Sequence, residues 1–130
     1  MRNWKSLFTI AAAALAVLAA PSLATAADKL QDVLGAGKLR VGLLTDAAPW
    51  GFKDDKGEIA GLDADLARLI AADMGVKLEL VPVTGAARIP SLLSDKIVML
   101  ISGLGATPQR AQQVMFSQPY SVVHLGVSRQ

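Results

Sequence analysis

The residues with the clearest chemical potential follow an apolar run in the last third of the sequence. Ser102-Gly103-Leu104-Gly105 comes directly after the apolar stretch 97–101, and its two glycines allow backbone N–H groups to approach a ligand closely. Arg110 follows near the start of the next predicted helix. A guanidinium beside free backbone amides is suited to receive a carboxylate, with bidentate geometry available. These residues predict an anion site, and a plain turn followed by a surface arginine is the alternative.

An aromatic side chain occupies a comparable position earlier in the chain. Ala48-Pro49-Trp50 lies in a predicted loop over 46–52 that follows a predicted strand over 39–45, and open α/β sheets bind ligands at the loops that leave the carboxyl ends of strands. Trp50 is therefore a candidate ligand contact, with ordinary edge packing as the equally weighted alternative.

Signals for catalysis and metal binding are weak. His124 is the single histidine and lies in an apolar stretch, where a structural role is the better interpretation. Asp63 and Asp65 lie two apart at a predicted helix start, which favours N-capping and dipole placement over a pair of acid/base carboxyls. We predict no catalytic residue, metal ligand or cofactor, and the lack of cysteine excludes disulfides and thiolate sites.

Residues 1–26 have the three parts of a secretory signal peptide. Arg2 and Lys5 precede an apolar run over 7–20, and Ala24-Thr25-Ala26 has the form that signal peptidase accepts. The run is shorter than the ~20 residues of a membrane span, so we expect export with cleavage and no integral membrane protein. Without those two basic residues, 11 of the 13 remain against 11 acidic residues, and the charge balance gives no reason to expect a nucleic-acid partner.

The rest of the chain alternates helical and extended patterns, which predicts an α/β fold with a mostly parallel sheet flanked by helices. Strands are predicted at 39–45, 76–83, 97–102 and 122–127, and helices at 28–34, 63–74, 86–94 and from 107 onward. Lys53 to Gly57 is expected to form a hairpin turn, and Thr107 is expected to cap the last helix.

Two of these helices have an apolar face that we expect to be buried. The first is predicted to bury Leu62, Leu66, Leu69, Ile70 and Met74, and the second Ile89, Leu92 and Leu93.

Five segments form a recognisable series. They are L-R-V-G-L-L-T-D-A-A-P-W-G-F (39–52), G-L-D-A-D-L-A (61–67), V-P-V-T with R-I-P-S-L-L (81–84 and 88–93), L-I-S-G-L-G-A-T-P-Q-R (100–110) and F-S-Q-P-Y (116–120). In this order they resemble the polar-amino-acid family of substrate-binding proteins of ABC importers, and the resemblance extends over nearly all of the chain after the leader.

The resemblance implies a periplasmic protein of the type II binding-protein fold, whose two lobes close on a small amino acid and whose partners are the membrane permease subunits of the importer. It implies that Trp50 gives an aromatic contact and that Arg110 grips the α-carboxylate. It further implies that Ser102, Gly103 and Gly105 contact the α-amino and carboxylate groups.

Residues 27–130 are then expected to be the N-terminal part of the solute-binding domain, lobe 1, truncated near the interlobe crossover. With one wall of the site missing, we expect millimolar binding or none from this chain alone. Two alternatives remain: a fragment of a periplasmic cyclohexadienyl dehydratase, for whose acid/base groups we find no candidates, and a stand-alone sensor or interaction lobe.

Three positions depart from the family pattern. Val98 stands where relatives usually have an aspartate, Asp95 where a glycine commonly precedes the lysine, and Gly85 near a position that often carries an aromatic residue. We expect these departures to affect side-chain specificity and a local hydrogen-bond network.

Overall fold

The structure is a computed structural model that describes residues 26–122. The predicted signal peptide lies outside this range except for its last residue, and so do His124 and all but the first residue of the strand predicted at 122–127. Among the helices of residues 26–122, none has both the length and the apolar character needed to cross a membrane.

The described chain alternates helices and strands, as predicted for an α/β protein. Its elements are α1 (Ala26–Ala36), β1 (Lys38–Leu43), β2 (Asp46–Ala47), β3 (Gly51–Lys53), β4 (Ile59–Ala60), α2 (Leu62–Asp73), β5 (Lys77–Pro82), α3 (Arg88–Leu93), β6 (Met99–Leu100) and α4 (Pro108–Ala111).

The main sheet is parallel and has the strand order β5-β1-β6. β1 lies in the centre, with Lys38 paired to Lys77 and Val41 to Met99. Leu39, Val41 and Leu43 of β1 are fully buried and lie on one face of the sheet, since they alternate along the strand. On the opposite face Gly42 is buried, whereas Lys38 is exposed. Because β1 and β6 run in the same direction, the loops that follow them leave from the same edge of the sheet.

A small antiparallel sheet of order β2-β3-β4 lies where we predicted a loop and a hairpin. The hairpin turn is confirmed, since the Asp54 carboxylate accepts hydrogen bonds from the backbone N–H groups of Lys56 (2.9 Å) and Glu58 (2.8 Å). The predicted loop over 46–52 is wrong in part, because Asp46 and Ala47 pair with Phe52 and Gly51.

The buried face of α2 differs from the predicted one. Its buried residues are Ala64, Ala67 and Ala71 together with Asp63, while Leu66, Ile70 and Met74 are partly buried against the core. Leu62 is half exposed and Leu69 is 69% exposed, so their predicted burial is wrong. Residues 64, 67 and 71 form the stripe that faces the sheet, and Leu62 and Leu69 lie outside it.

The predicted inward position of Leu93 in α3 is also wrong, since Leu93 is 60% exposed and Ser91 is buried instead. β6 is shorter than the strand predicted at 97–102. The Ile97 N–H donates to the Ser91 carbonyl of α3, whereas the Val98 N–H donates to the Arg40 carbonyl of β1, so the first residue of the apolar run bonds away from the sheet.

Candidate ligand-binding site

A cavity of about 960 Å³ opens where the loops leave the main sheet, a size typical of small-molecule sites. Its walls come from the turn before β3, from α2 and α3, from β6 with the loop after it, and from residues 114–121. Its polar and charged lining includes Trp50, Asp63, Arg88, Ser102 and Tyr120. The cavity therefore joins two regions that the sequence predicted as sites, the Trp50 turn and the loop at 102–105.

Ser102 is the most informative residue of this loop. Its side chain is 5% exposed, and its hydroxyl has no hydrogen-bond partner among the residues that the structure describes. Buried polar atoms in proteins nearly always have a partner. Ser102 lines the cavity although its hydroxyl oxygen is itself closed to solvent, so a ligand would supply the partner once the side chain turned toward the cavity.

Gly103 has the backbone conformation that only glycine adopts readily, with φ of +56°. Its N–H, which we predicted to face a ligand, donates instead to the Tyr120 hydroxyl at 3.3 Å. That hydroxyl donates in turn to the Asp63 carboxylate at 3.0 Å. The sequence had not indicated either contact.

Arg110 lies beside the loop but does not line the cavity as described. Its Nη1 donates to the Gly105 carbonyl at 2.9 Å. Thr107 caps α4 as predicted, because its hydroxyl accepts from the Arg110 backbone N–H. With four residues, α4 supplies little of the helix dipole on which the predicted carboxylate receptor partly depended.

Trp50 is half-buried and lines the cavity. Its carbonyl accepts a hydrogen bond from the Asp63 backbone N–H at 2.8 Å. The turn that carries Trp50 is therefore tied to the first turn of α2. This placement favours a ligand contact over plain edge packing, and contact itself stays a prediction.

Arg88 lines the cavity but was not among the site residues that we predicted from the sequence. Its guanidinium donates to the Ser102 carbonyl at 3.2 Å and to the Gly85 carbonyl at 3.0 Å, and it lines the cavity. The available signal was its place at the start of the helix that follows β5, a third strand leading to the same edge of the sheet.

The capping role predicted for Asp63 is wrong. Gly61 occupies the N-cap of α2, no side chain caps it, and Asp63 and Asp65 both lie in the first turn. The Asp63 side chain is buried, and this burial raises its pKa above the usual value, against the smaller lowering effect of the Tyr120 hydrogen bond. Burial likewise raises the pKa of Tyr120.

Known proteins similar to this chain include amino-acid-binding proteins and enzymes. A cyclohexadienyl dehydratase of Pseudomonas aeruginosa is 34% identical over 110 residues, 85% of this chain and 41% of the enzyme. The lysine/arginine/ornithine-binding periplasmic protein of Escherichia coli is 40% identical over 79 residues, 61% of this chain and 30% of that protein. The chain thus spans less than half the length of these curated relatives.

Among solved structures, the arginine-bound form of domain 1 from TmArgBP, the ArgBP of T. maritima, superposes with a TM-score of 0.67 at 45% identity. That match covers 68% of this chain and 71% of the domain. The profile of the bacterial extracellular solute-binding proteins, family 3, matches residues 39–129. Fold, motifs and matched range together show that the chain belongs to family 3 of the bacterial extracellular solute-binding proteins.

Proposed function

We propose that this chain binds an α-amino acid in the cavity beside residues 102–105, as part of the periplasmic binding component of an ABC importer. The observation that carries the proposal is the buried, unpartnered hydroxyl of Ser102 on the wall of an open cavity. An amino acid carries carboxylate and ammonium groups, and either one could complete the hydrogen bonding of this hydroxyl once the Ser102 side chain turned toward the cavity.

The loop beside Ser102 is bracketed by two guanidinium groups. Arg88 donates to the Ser102 carbonyl from α3, and Arg110 donates to the Gly105 carbonyl from α4. A guanidinium has five N–H donors, and a single bond to Gly105 leaves Arg110 further donors for a ligand carboxylate. We propose that Arg110, which does not line the cavity as described, turns from the Gly105 carbonyl toward it when a ligand binds. Arg110 and Ser102 then take the α-carboxylate, and Trp50 lies against the ligand side chain.

Relatives guide the choice of ligand. The E. coli relative is named for lysine, arginine and ornithine, and the TmArgBP domain is described as arginine-bound. Since this single domain was solved with arginine, arginine is the first ligand to test. Asp63 is the one acidic side chain on the described cavity wall. Our expectation that this chain alone binds an amino acid in the millimolar range or not at all stays a prediction. The role of permease subunits as partners, export by a cleaved leader, and the absence of catalysis are part of the same proposal.

The test is thermal unfolding of the purified chain with and without arginine, lysine, histidine, glutamine and glutamate. A ligand at ten times its Kd stabilises the native state by about 1.4 kcal/mol, which raises the Tm of a domain of this size by several degrees. We expect at least one amino acid to raise the Tm in a saturable way. No shift with any of them, up to tens of millimolar, refutes the proposal.

Two arginine variants assign the shift to the site. Arg110→Ala removes the assigned carboxylate partner and is expected to abolish the shift. Arg68→Ala is the matched control, because Arg68 is an exposed residue of α2 whose guanidinium bonds Asp65 and the Ile59 carbonyl and forms no hydrogen bond with residues 102–105. A shift that survives Arg110→Ala removes Arg110 from the site.

The dehydratase reading has one observation in its favour. Asp63 is a wall carboxyl whose pKa is raised by burial, and a raised pKa is common in carboxyl groups that act as general acids. Formation of product from a cyclohexadienyl acid such as prephenate, lost in Asp63→Asn, would support an enzyme. Saturable amino-acid binding without turnover favours the binding protein.

A further inference from the structure

The Tyr120 hydroxyl joins two segments that are far apart in the sequence. It donates to the Asp63 carboxylate at the start of α2 and accepts from the Gly103 N–H in the loop beside the cavity. A phenolic hydroxyl has one proton to donate, and a carboxylate is its stronger acceptor. The hydroxyl is thus oriented by Asp63 so that its oxygen faces the Gly103 N–H.

The loop itself has little regular structure. Residues 101–107 lie between β6 and α4 without helix or strand, and three side chains from other parts of the fold hold it. Arg88 binds the Ser102 carbonyl, Arg110 binds the Gly105 carbonyl, and Tyr120 is bound by the Gly103 N–H. Of these three, Tyr120 alone contacts a backbone donor, so it fixes the peptide plane between Ser102 and Gly103 from the opposite side.

This peptide plane matters because it determines where Ser102 points. Gly103 has φ of +56°, and as a glycine it could adopt several other conformations at little cost. A fixed N–H at Gly103 selects one of them. In that conformation the Ser102 hydroxyl is buried and unpartnered on the cavity wall.

We propose that Tyr120, anchored on Asp63, is a positioning residue for the amino-acid site: its hydroxyl holds the Gly103 amide and thereby keeps Ser102 in the orientation that the ligand requires. The proposal rests on the proposed function. Tyr120 does not replace a ligand contact, and it acts through Gly103. It also makes the segment 116–120 part of the site, although we had read F-S-Q-P-Y only as a family motif.

The first measurement needs no variant and no ligand. Amide hydrogen exchange by NMR is expected to be slower at Gly103 than at Gly105, whose N–H has no hydrogen-bond partner among the residues described. Equal exchange at the two amides would overturn the proposal, because the Gly103 N–H would then not be held.

The second measurement uses Tyr120→Phe, which keeps the ring and removes the hydroxyl. Exchange at Gly103 is expected to rise roughly 3- to 10-fold, the equivalent of one net hydrogen bond, and the Kd for the bound amino acid to rise by a similar factor. Asp63→Asn keeps an acceptor for Tyr120 and is expected to preserve the protection of Gly103. Ser94→Ala, which removes a hydroxyl bonded to the Ser91 carbonyl away from the cavity, is the control and should change neither value.

The outcomes separate this inference from the proposed function. If Tyr120→Phe speeds exchange at Gly103 but leaves the Kd unchanged, Tyr120 holds the loop without positioning the site, and the inference is refuted while amino-acid binding stands. If the unmodified chain binds no amino acid, the proposed function fails and the binding role of Tyr120 fails with it, whatever happens at Gly103.

Discussion

Asp63 is a buried carboxylate whose side chain hydrogen-bonds to Tyr120. Its side chain is 1% exposed, it accepts the Tyr120 hydroxyl at 3.0 Å, and no Lys or Arg salt bridge to it is present within residues 26–122. Burial without a cationic partner disfavours the charged form, and this raises the pKa of Asp63. A group of this kind lowers stability wherever it must be ionised.

The pH dependence of stability follows from that shift. Because the folded-state pKa of Asp63 lies above its unfolded value of 3.8, its contribution to stability is full below that value and is lost as the pH rises through the folded pKa. Asp63→Asn cannot ionise, so its free energy of unfolding relative to the wild-type chain should increase from pH 4 to 7. Urea unfolding of both chains across about pH 3.5 to 7 measures this.

The groups around Asp63 do not reverse the sign. Tyr120 contacts the carboxylate directly and its own pKa is raised, while Arg88 of α3 is the arginine that lines the same cavity. Glu79, whose pKa is lowered mainly by Lys38, loses its stabilising effect as the pH falls, and it does so equally in both chains. If the free energies of unfolding of the two chains differ by the same amount at every pH, ionisation of Asp63 does not carry the stability cost that we infer.

Single residues show where sequence reasoning succeeds and where it stops. Thr107 as a cap was predictable because the signal lies within four residues of chain. The bond between Tyr120 and Asp63 joins positions 57 apart, and that between Arg88 and Ser102 joins positions 14 apart; no local pattern encodes such contacts. The positive φ of Asp95, +56°, was not predicted, and it explains why a glycine is common at that position.

At the scale of elements, the start of α2 is built against the Trp50 turn. Gly61 has φ of +111°, and a Cβ atom at this position would clash with the carbonyl oxygens of Trp50 and Pro49. The N–H groups of Leu62 and Asp63 bind those same two carbonyls. The helix and the turn can therefore meet only if the residue between them has no side chain.

Gly61→Ala tests this junction, with Gly57→Ala as the matched control. Gly57 has φ of +78° but open space around its Cβ position, so its replacement is expected to cost about 1–2 kcal/mol of conformational strain alone. Gly61 has φ of +111° and ψ of +174°, a region essentially restricted to glycine, so Gly61→Ala carries about 1–3 kcal/mol of backbone strain and a steric clash that adds about 1–3 kcal/mol. Urea unfolding of both variants gives the difference. Equal losses would show that the turn shifts freely and that Trp50 is not held by α2.

Helices and strands were predicted well where the sequence signals for their ends are strong. The buried face of a helix was predicted poorly, because packing against the sheet decides which residues are buried. Gly75, with φ of +66°, ends the helical pattern of α2 as predicted, and β1 and β5 lie where apolar runs indicated strands. The buried face of α2 was misjudged because side-chain size suggested Leu62 and Leu69, whereas close approach to the sheet requires Ala64, Ala67 and Ala71. Hydrophobicity identifies an amphipathic helix more reliably than it identifies the exact stripe that packs.

At the scale of the whole molecule, one apolar cluster connects the elements that carry the site. Its buried residues come from α1, β1 and α2 and from the residue after β6, and they are Val33, Leu39, Val41, Ala67, Ala71 and Ile101. Val98 packs against this cluster. The packing of Val98 against this cluster accounts for an apolar residue where relatives usually have an aspartate. The described ion pairs, Lys29–Asp95, Lys38–Glu79 and Arg68–Asp65, lie at the surface with side chains 45% to 69% exposed.

Neighbouring residues of β1 allow the core and the surface to be compared directly. Leu39 is buried in the cluster, and Leu39→Ala is expected to lower the free energy of unfolding by about 2–5 kcal/mol through lost burial and a cavity. Lys38 pairs with Glu79 across the same strand pair at 2.8 Å, and Lys38→Ala is expected to cost at most about 1 kcal/mol because the pair is exposed and screened.

Urea unfolding at low and at high salt measures both effects. Salt should reduce the already small effect of Lys38→Ala and leave that of Leu39→Ala unchanged, since screening acts on exposed charges and not on apolar contacts. Comparable losses in the two variants would mean that surface charge stabilises the sheet. The loop at 102–105 would then lack the rigid apolar base that our account of the site requires, because it leaves β6 directly after Ile101 of this cluster.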